Sequence, residues 1–249
     1  MNHAPVTDWN PRTRRSDSLE VYLLGRVDFE SAVRLQKRWL YEITGRQDRM
    51  GVLLLCEHPP VVTIGREGSR SQLTVDNREL QSRLIDLHWL NRGGGALVHA
   101  PGQLAAYPIL PLDRLGLGLA DYRLALEQAV IESCRELRVP ATRRPEYPGV
   151  FCRTGQLAWI GSAVRSWVSY HGMFINVSPA MHLVRLVEPT TASEPTTSIS
   201  TQRTRPTSMH SLREHLIRHL AGQLGYQHWH LYTGHPLLTR TGKKVHVSA

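Results

Sequence analysis

The chain has 249 residues, 41% of them hydrophobic, and 30 Lys and Arg against 21 Asp and Glu, a formal charge of +9. That apolar content at this length builds a core and argues against global disorder. No apolar run approaches the ~18 residues of a membrane span, the longest being residues 52–56 and 104–110. Three scattered cysteines, Cys56, Cys134 and Cys152, suit neither a disulfide framework nor a Cys-rich zinc site, so a reducing cytoplasm is the expected setting.

Nearly every cation is arginine. Lys37, Lys243 and Lys244 are the only lysines in the sequence, so no lysine chemistry is available between residues 38 and 242. Arginine stays protonated and clamps anions but makes a poor acid or base. Residues 201–249 carry seven Lys and Arg against the single Glu214, a net +6, together with seven of the 13 histidines. That imbalance implies an acidic partner.

Residues 1–18 read as a mobile arm and 19–24 as a first strand. Asp28 is a plausible N-cap for a helix over 29–44, whose Ala32, Leu35, Trp39 and Ile43 share one face. Two strands, 52–57 and 61–64, flank a Pro59-Pro60 bend, and 69–81 reads as a polar loop. Strands 97–99 and 104–110 flank the Pro101-Gly102 turn, and a second helix aligns Tyr122, Leu126, Val130 and Leu137. Residues 150–152 and 157–160 form a hairpin around Arg153-Thr154-Gly155, and 167–170 and 173–177 a strand pair around His171-Gly172. Residues 189–206 read as a loop, a third helix aligns Leu212, Leu216, Leu220 and Leu224, and 226–249 read as a basic His-rich tail. Without strict βαβ alternation the expected class is α+β, a mixed sheet with flanking helices.

The strongest local signal is Arg92-Gly93-Gly94-Gly95, followed by Ala96, Leu97, Val98 and the turn His99-Ala100-Pro101-Gly102-Gln103. Consecutive glycines let a ligand lie directly on the backbone and tolerate positive φ. Neither nucleotide fingerprint is present. Val98 breaks G-x-G-x-x-G, and Gly242-Lys243-Lys244 lacks the preceding glycine and the Ser/Thr of a P-loop, which disfavours a nucleotide-driven ligase.

Four segments in order, CEHPPVVTIG at 56–65, RGGGALVHAPGQ at 92–103, Trp159-Ile160-Gly161 with SYHGMFINV at 169–177, and residues 187–200, resemble the successive motifs of the lipoyl(octanoyl) transferase family. The resemblance runs over residues 19–225, which it implies are one catalytic domain with the fold shared by lipoate and biotin protein ligases. It implies octanoyl transfer from an acyl carrier protein to a lysine of lipoyl domains, with no cofactor and no metal. It also implies an acyl pocket lined by Arg92, Gly93, Gly94, Gly95, Ala96, Leu97, Val98 and His99, by Trp159, Ile160 and Gly161, and by Gly172, Met173 and Phe174.

The sequence departs from the family where the chemistry lies. Thr190 stands in place of the family's cysteine nucleophile and Gln156 in place of its lysine, while Ala100 replaces a glycine. A threonine hydroxyl needs a general base, for which His99 and His171 are the nearest candidates by motif. Thr190, Gln156, His99 and His171 are therefore the candidate catalytic positions. Direct transfer from the carrier thioester to the lysine is the alternative, and needs proximity and backbone N–H groups facing the oxyanion.

Cys152 is a possible substitute thiol across the hairpin from Gln156, against the plainer reading of a packed strand residue. The pair His215 and His219, one helical turn apart without an intervening Glu, reads as a solvated helix face. Arg143-Arg144 reads as solvated surface that could dock an acidic carrier. Two rival functions remain: an inactive paralogue that binds octanoyl carrier protein or lipoyl domains, and a nucleic-acid-binding protein suggested by charge alone. The latter is disfavoured for want of a binding motif.

Overall fold

The computed structural model describes residues 17–188, 194–203, 207–241 and 244–247, with side chains through residue 238. In chain order, β1 (Ser18–Arg26) leads into α1 (Phe29–Thr44), β2 (Gly51–Glu57) and β3 (Val61–Ile64). After α2 (Asn77–Ser82) come β4 (Asp86–Trp89), β5 (Ala96–His99), β6 (Gln103–Ile109) and α3 (Leu119–Glu136). Four strands follow, β7 (Ala141–Arg144), β8 (Tyr147–Cys152), β9 (Gly155–Arg165) and β10 (Val168–Asn176). The helices α4 (Met181–Val184), α5 (Ile199–Gln202) and α6 (Met209–Gln223) precede β11 (His228–Thr233) and the pair β12 (Leu238–Thr241) and β13 (Lys244–Val247).

An eight-stranded mixed sheet of order β11-β1-β2-β6-β10-β9-β8-β7 forms the centre, and a three-stranded sheet β4-β3-β5 lies apart from it. β1 runs parallel to both β2 and β11, whereas β2, β6, β10, β9, β8 and β7 meet in antiparallel pairs. This is the expected α+β class.

Alternating residues send the two faces of the large sheet into separate cores. On one face Leu126 and Val130 of α3 and Leu216 and Leu220 of α6 pack with Leu53, Leu104, Ile160 and Met173. On the other, Leu35 and Ile43 of α1 pack with Leu54, Tyr107, Trp159 and Phe174. The cross-strand pairs Trp159–Phe174 and Ile160–Met173 thus belong to opposite faces. The helix α1 begins where Asp28 accepts a hydrogen bond from Ser31 N at 2.9 Å, as the capping pattern predicts.

Several expectations are corrected. His171-Gly172 is no turn: β10 runs through it unbroken, and the reversal falls at Ser166-Trp167, whose φ angles of 49° and 59° make the two-residue bend between Arg165 and Val168. His171 does carry a positive φ of 55°, a local irregularity that His-Gly signals without reversing the chain. The segment read as a polar loop holds the short helix α2, nucleated by Asp76 accepting from Glu79 N. The region read as a tail is in part structural, because β11 supplies the edge of the main sheet beside β1. Ser18, assigned to the arm, is buried at the start of β1.

His215 and His219 are not a solvated face either. Both are mostly buried and clasp α3, His215 Nδ1 lying 3.0 Å from Glu136, and His219 3.1 Å from Glu132 and 2.8 Å from Glu136. Arg143 and Arg144 are likewise engaged within the chain, Arg143 with Glu127 at 3.7 Å and Arg144 with Glu194 at 2.6 Å.

Candidate active site

The glycine loop connects β4 to β5 and folds back over the edge of the small sheet. Gly65 N donates to Gly95 O at 3.1 Å, Arg66 N to Arg92 O at 2.9 Å and Glu67 N to Gly94 O at 3.3 Å. A further bond from Gly93 N to Ser162 O, 3.0 Å, ties the loop to β9. The loop needs its glycines for two reasons. Gly94 has a φ of 78°, and a Cβ on the facing Gly65 would lie 2.3 Å from Gly94 O.

Between this loop and β8–β9 lies a cavity of about 260 Å³. Its lining comprises Glu67, Arg92, Gly93, Gly94, Gly95, Leu97, Glu146, Tyr147, Pro148, Gln156, Trp159, Ile160 and Gly161. Gly161 opens it: a Cβ there would sit 3.1 Å from Gly93 O and 3.3 Å from Arg92 Cδ. The N–H groups of Gly94 and Gly95 donate to no protein acceptor among the described residues, and both glycines border the cavity. A larger surface groove of about 450 Å³, bordered by Lys37, Tyr41, Arg165 and Tyr170, holds none of the glycine-loop residues and, of the motif segments, only Tyr170.

Arg92 is fully buried with no carboxylate ion pair among the described residues. Its Nη1 donates to Gly93 O at 2.9 Å, and its Nη2 to Thr63 O at 3.0 Å and Thr63 Oγ1 at 2.8 Å. Burial lowers its pKa to about 10, which still leaves the guanidinium charged at neutral pH. From there a polar chain runs inward. Thr63 Oγ1 meets His99 Nε2 at 2.8 Å, His99 Nδ1 meets Gln103 Oε1 at 2.9 Å, Gln103 Nε2 donates to Asn176 Oδ1 at 2.9 Å, and Asn176 Nδ2 donates to Thr197 O at 3.0 Å.

The expected residues divide accordingly. Arg92, Gly93, Gly94, Gly95, Leu97, Gln156, Trp159, Ile160 and Gly161 meet around the cavity. Ala96 and Val98 do not line it, since they pack with Val62, Ile64 and Leu186 behind the small sheet. Met173 faces the α3–α6 core, and Gly172, although paired with Gly161, has Ala106 O 2.2 Å from where a Cβ would stand. Phe174 forms a second layer, its ring 4.5 Å from that of His99 and 5.9 Å from the Arg92 guanidinium carbon.

The two candidate bases are corrected. Both ring nitrogens of His99 are engaged and the ring is fully buried, leaving no lone pair free to receive a substrate proton. Burial, with His58 and Arg92 nearby, holds its pKa well below the usual imidazole value. His171 is also buried outside the cavity lining, and burial with the charges of Arg92, Lys37 and Arg66 lowers it to about 3, too weak a base at neutral pH.

The thiol alternative fails on geometry as well. Cys152 pairs with Gly155 and packs in the α3–α6 core, whereas Gln156 lines the cavity. Thr190 lies outside the described residues. Glu67, Glu146, Tyr147 and Pro148 were not anticipated. They sit in polar or turn-like stretches with no motif of their own, and only the approach of the β7–β8 turn to the glycine loop brings them together.

Residues 28–221 match the family model described as lipoyl protein ligase A/B catalytic domain. An octanoyltransferase of Geobacter metallireducens is 35% identical over 82% of this chain and 90% of its own length, and one of Solibacter usitatus 34% identical over 80% and 89%. Among solved structures, a lipoate-protein ligase A bound with ATP superposes with a TM-score of 0.71 at 17% identity, covering 88% of this chain and 90% of that one. The bipartite lipoate protein ligase of Thermoplasma acidophilum, from a study that included its E2 lipoyl domain, gives 0.71 at 18% identity over 88% of each chain.

Proposed function

This chain belongs to the lipoyl protein ligase A/B catalytic-domain family, and from that premise we propose that it moves an octanoyl group from a carrier-protein thioester to a lysine of lipoyl domains in the cytoplasm. The observation that carries the reading is the glycine-walled cavity: Gly93, Gly94, Gly95 and Gly161 leave room for an extended chain against Leu97, Trp159 and Ile160. An octanoyl tail gains ~0.8 kcal/mol per CH₂ taken from water. The free N–H groups of Gly94 and Gly95, beside the charged Arg92, supply donors for the oxygen that becomes negative as the thioester carbonyl is attacked.

With no thiol in the lining, and with His99 and His171 unsuited as bases, the route these residues favour is direct. The amine attacks the bound thioester, and the site contributes orientation and oxyanion stabilisation. The test combines the protein, octanoyl carrier protein and apo lipoyl domain, with intact masses read for all three and Thr190→Ala run alongside. An octanoylated lipoyl domain with both proteins, and no octanoyl mass on the enzyme, is the expected result. Loss of transfer in Thr190→Ala would replace the direct route with an oxygen-ester intermediate. No transfer by the unaltered protein would leave binding without turnover.

A further inference from the structure

We propose that Gln156, together with the rim carboxylates Glu67 and Glu146, receives the amine of the acceptor lysine; the inference rests on the transfer reading above and extends it to the second substrate. Gln156 is 2% exposed and lines the cavity. Its orientation is fixed, because Nε2 donates to Ala158 O at 3.1 Å and to Pro148 O at 3.4 Å. Oε1 is then turned away from those carbonyls and has no donor, although it is buried. A buried acceptor without a donor marks a position that a ligand N–H or O–H would satisfy. The octanoyl chain and its thioester carry neither, whereas a lysine amine brings N–H groups.

Charge points the same way. Arg92 is a fixed cation in the cavity and repels an approaching ammonium. Glu67 and Glu146 stand on different walls: Glu67 beside the glycine loop, where a Cβ on Gly93 would lie 4.0 Å from its Oε1, and Glu146 on the β7–β8 turn. Both are exposed, and neither forms an ion pair among the described residues. Among the described residues the other ionisable side chains of the lining are Arg92 and Tyr147, so these two carboxyl groups are the acidic side chains that face an arriving amine.

The step balances without a further reactant. The ammonium gives one proton to a rim carboxylate and the free amine, held by its N–H on Gln156 Oε1, attacks the thioester carbon. The C–N bond forms and the C–S bond breaks. A second amine proton passes to the departing sulfur, the third stays on the amide, and the carboxylic acid releases its proton to water.

The experiment measures transfer from octanoyl carrier protein to apo lipoyl domain under steady state from pH 6 to 10, with thioester hydrolysis in the absence of acceptor as a readout of acyl binding. The variants are Gln156→Met, Gln156→Glu, which keeps an acceptor oxygen, and the double substitution Glu67→Gln/Glu146→Gln. Gln156→Met is expected to lower kcat/KM for the lipoyl domain at least tenfold while the KM for the donor and the hydrolysis rate hold, and Gln156→Glu to recover most of the loss. The double variant is expected to lose at least tenfold at pH 7 and progressively less toward pH 10, where the lysine arrives already deprotonated. Unchanged acceptor kinetics in Gln156→Met and in the double variant would overturn the proposal, as would a loss confined to the donor KM, which would give Oε1 to an amide of the carrier's arm. An unaltered protein that transfers nothing would instead defeat the transfer reading itself, and is seen before any variant is compared.

Discussion

Thr63 and His99 share a 2.8 Å hydrogen bond whose direction is set by its neighbours. Arg92 Nη2 donates to Thr63 Oγ1, and Gln103, with its Nε2 donating to Asn176, presents Oε1 to His99 Nδ1. His99 therefore carries its proton on Nδ1, and Thr63 gives its own to Nε2. Every donor from Arg92 to Asn176 points the same way, which fixes the loop arginine and the base of the cavity as one unit.

Replacing Thr63 by Val keeps the shape and removes the link. Arg92 Nη2 would lose one of its two acceptors on Thr63 and His99 Nε2 its only donor. One buried group left unsatisfied costs ~1–3 kcal/mol. Chemical denaturation should show a loss of about 2 kcal/mol, with a larger relative loss of acyl transfer because Arg92 borders the cavity.

Gly161→Val should abolish transfer more than it destabilises the fold. A Cβ at this position already meets Gly93 O at 3.1 Å, and two further methyl groups would occupy the space beside Arg92. A tenfold or greater fall in kcat/KM with the unfolding midpoint shifted by only a few degrees is the expected pattern. Trp159→Leu does the reverse and lengthens the cavity, so a panel of acyl carriers should show preference moving toward chains longer than eight carbons.

Acid should unfold the protein through its buried histidines. Burial lowers His58 to about 4 and His171 to about 3, and holds His99 well below its usual value. Against an unfolded value of ~6.5, each binds a proton more readily in the unfolded chain, so stability is fully present above pH ~6.5 and is lost as pH falls toward 4. Three such groups give a slope of about 4 kcal/mol per pH unit, at ~1.4 kcal/mol each. Urea midpoints from pH 7 to 4.5 measure it. His171→Asn, which tolerates the positive φ at this position, should flatten the slope by about one third.

Helix α1 and strand β3 were legible from residues 28–64 because their determinants are local: an acidic N-cap, a 3.6-residue apolar period, a short β-branched run after two prolines. The glycine loop was legible for a similar reason, since bare backbone is itself a sequence feature. What escaped was decided by distant partners. His99 looks like a base by motif, but Thr63 and Gln103 occupy it. His215 and His219 look solvated on their own helix, but Glu132 and Glu136 come from another one. Glu146 reaches the cavity only because β7–β8 folds beside β9. Val98 and Met173 were counted as lining because a motif is contiguous, whereas a strand sends alternate residues to opposite faces.

The bend at Ser166-Trp167 offers a stabilising change. Both residues hold left-handed φ values, 49° and 59°, at positions where side chains with a Cβ are disfavoured. Trp167 gives little in return, being 54% exposed, although its carbonyl accepts from Leu112 N at 2.8 Å. An Asn-Gly pair suits this turn and preserves that backbone bond. Each left-handed residue relieved is worth ~1 kcal/mol, so Ser166→Asn/Trp167→Gly should raise the melting temperature by several degrees with acyl transfer unchanged, because neither residue borders the cavity. A lower melting temperature would show that the Trp167 ring packs more usefully than its exposure suggests, and Ser166→Asn alone would then be the stabilising variant.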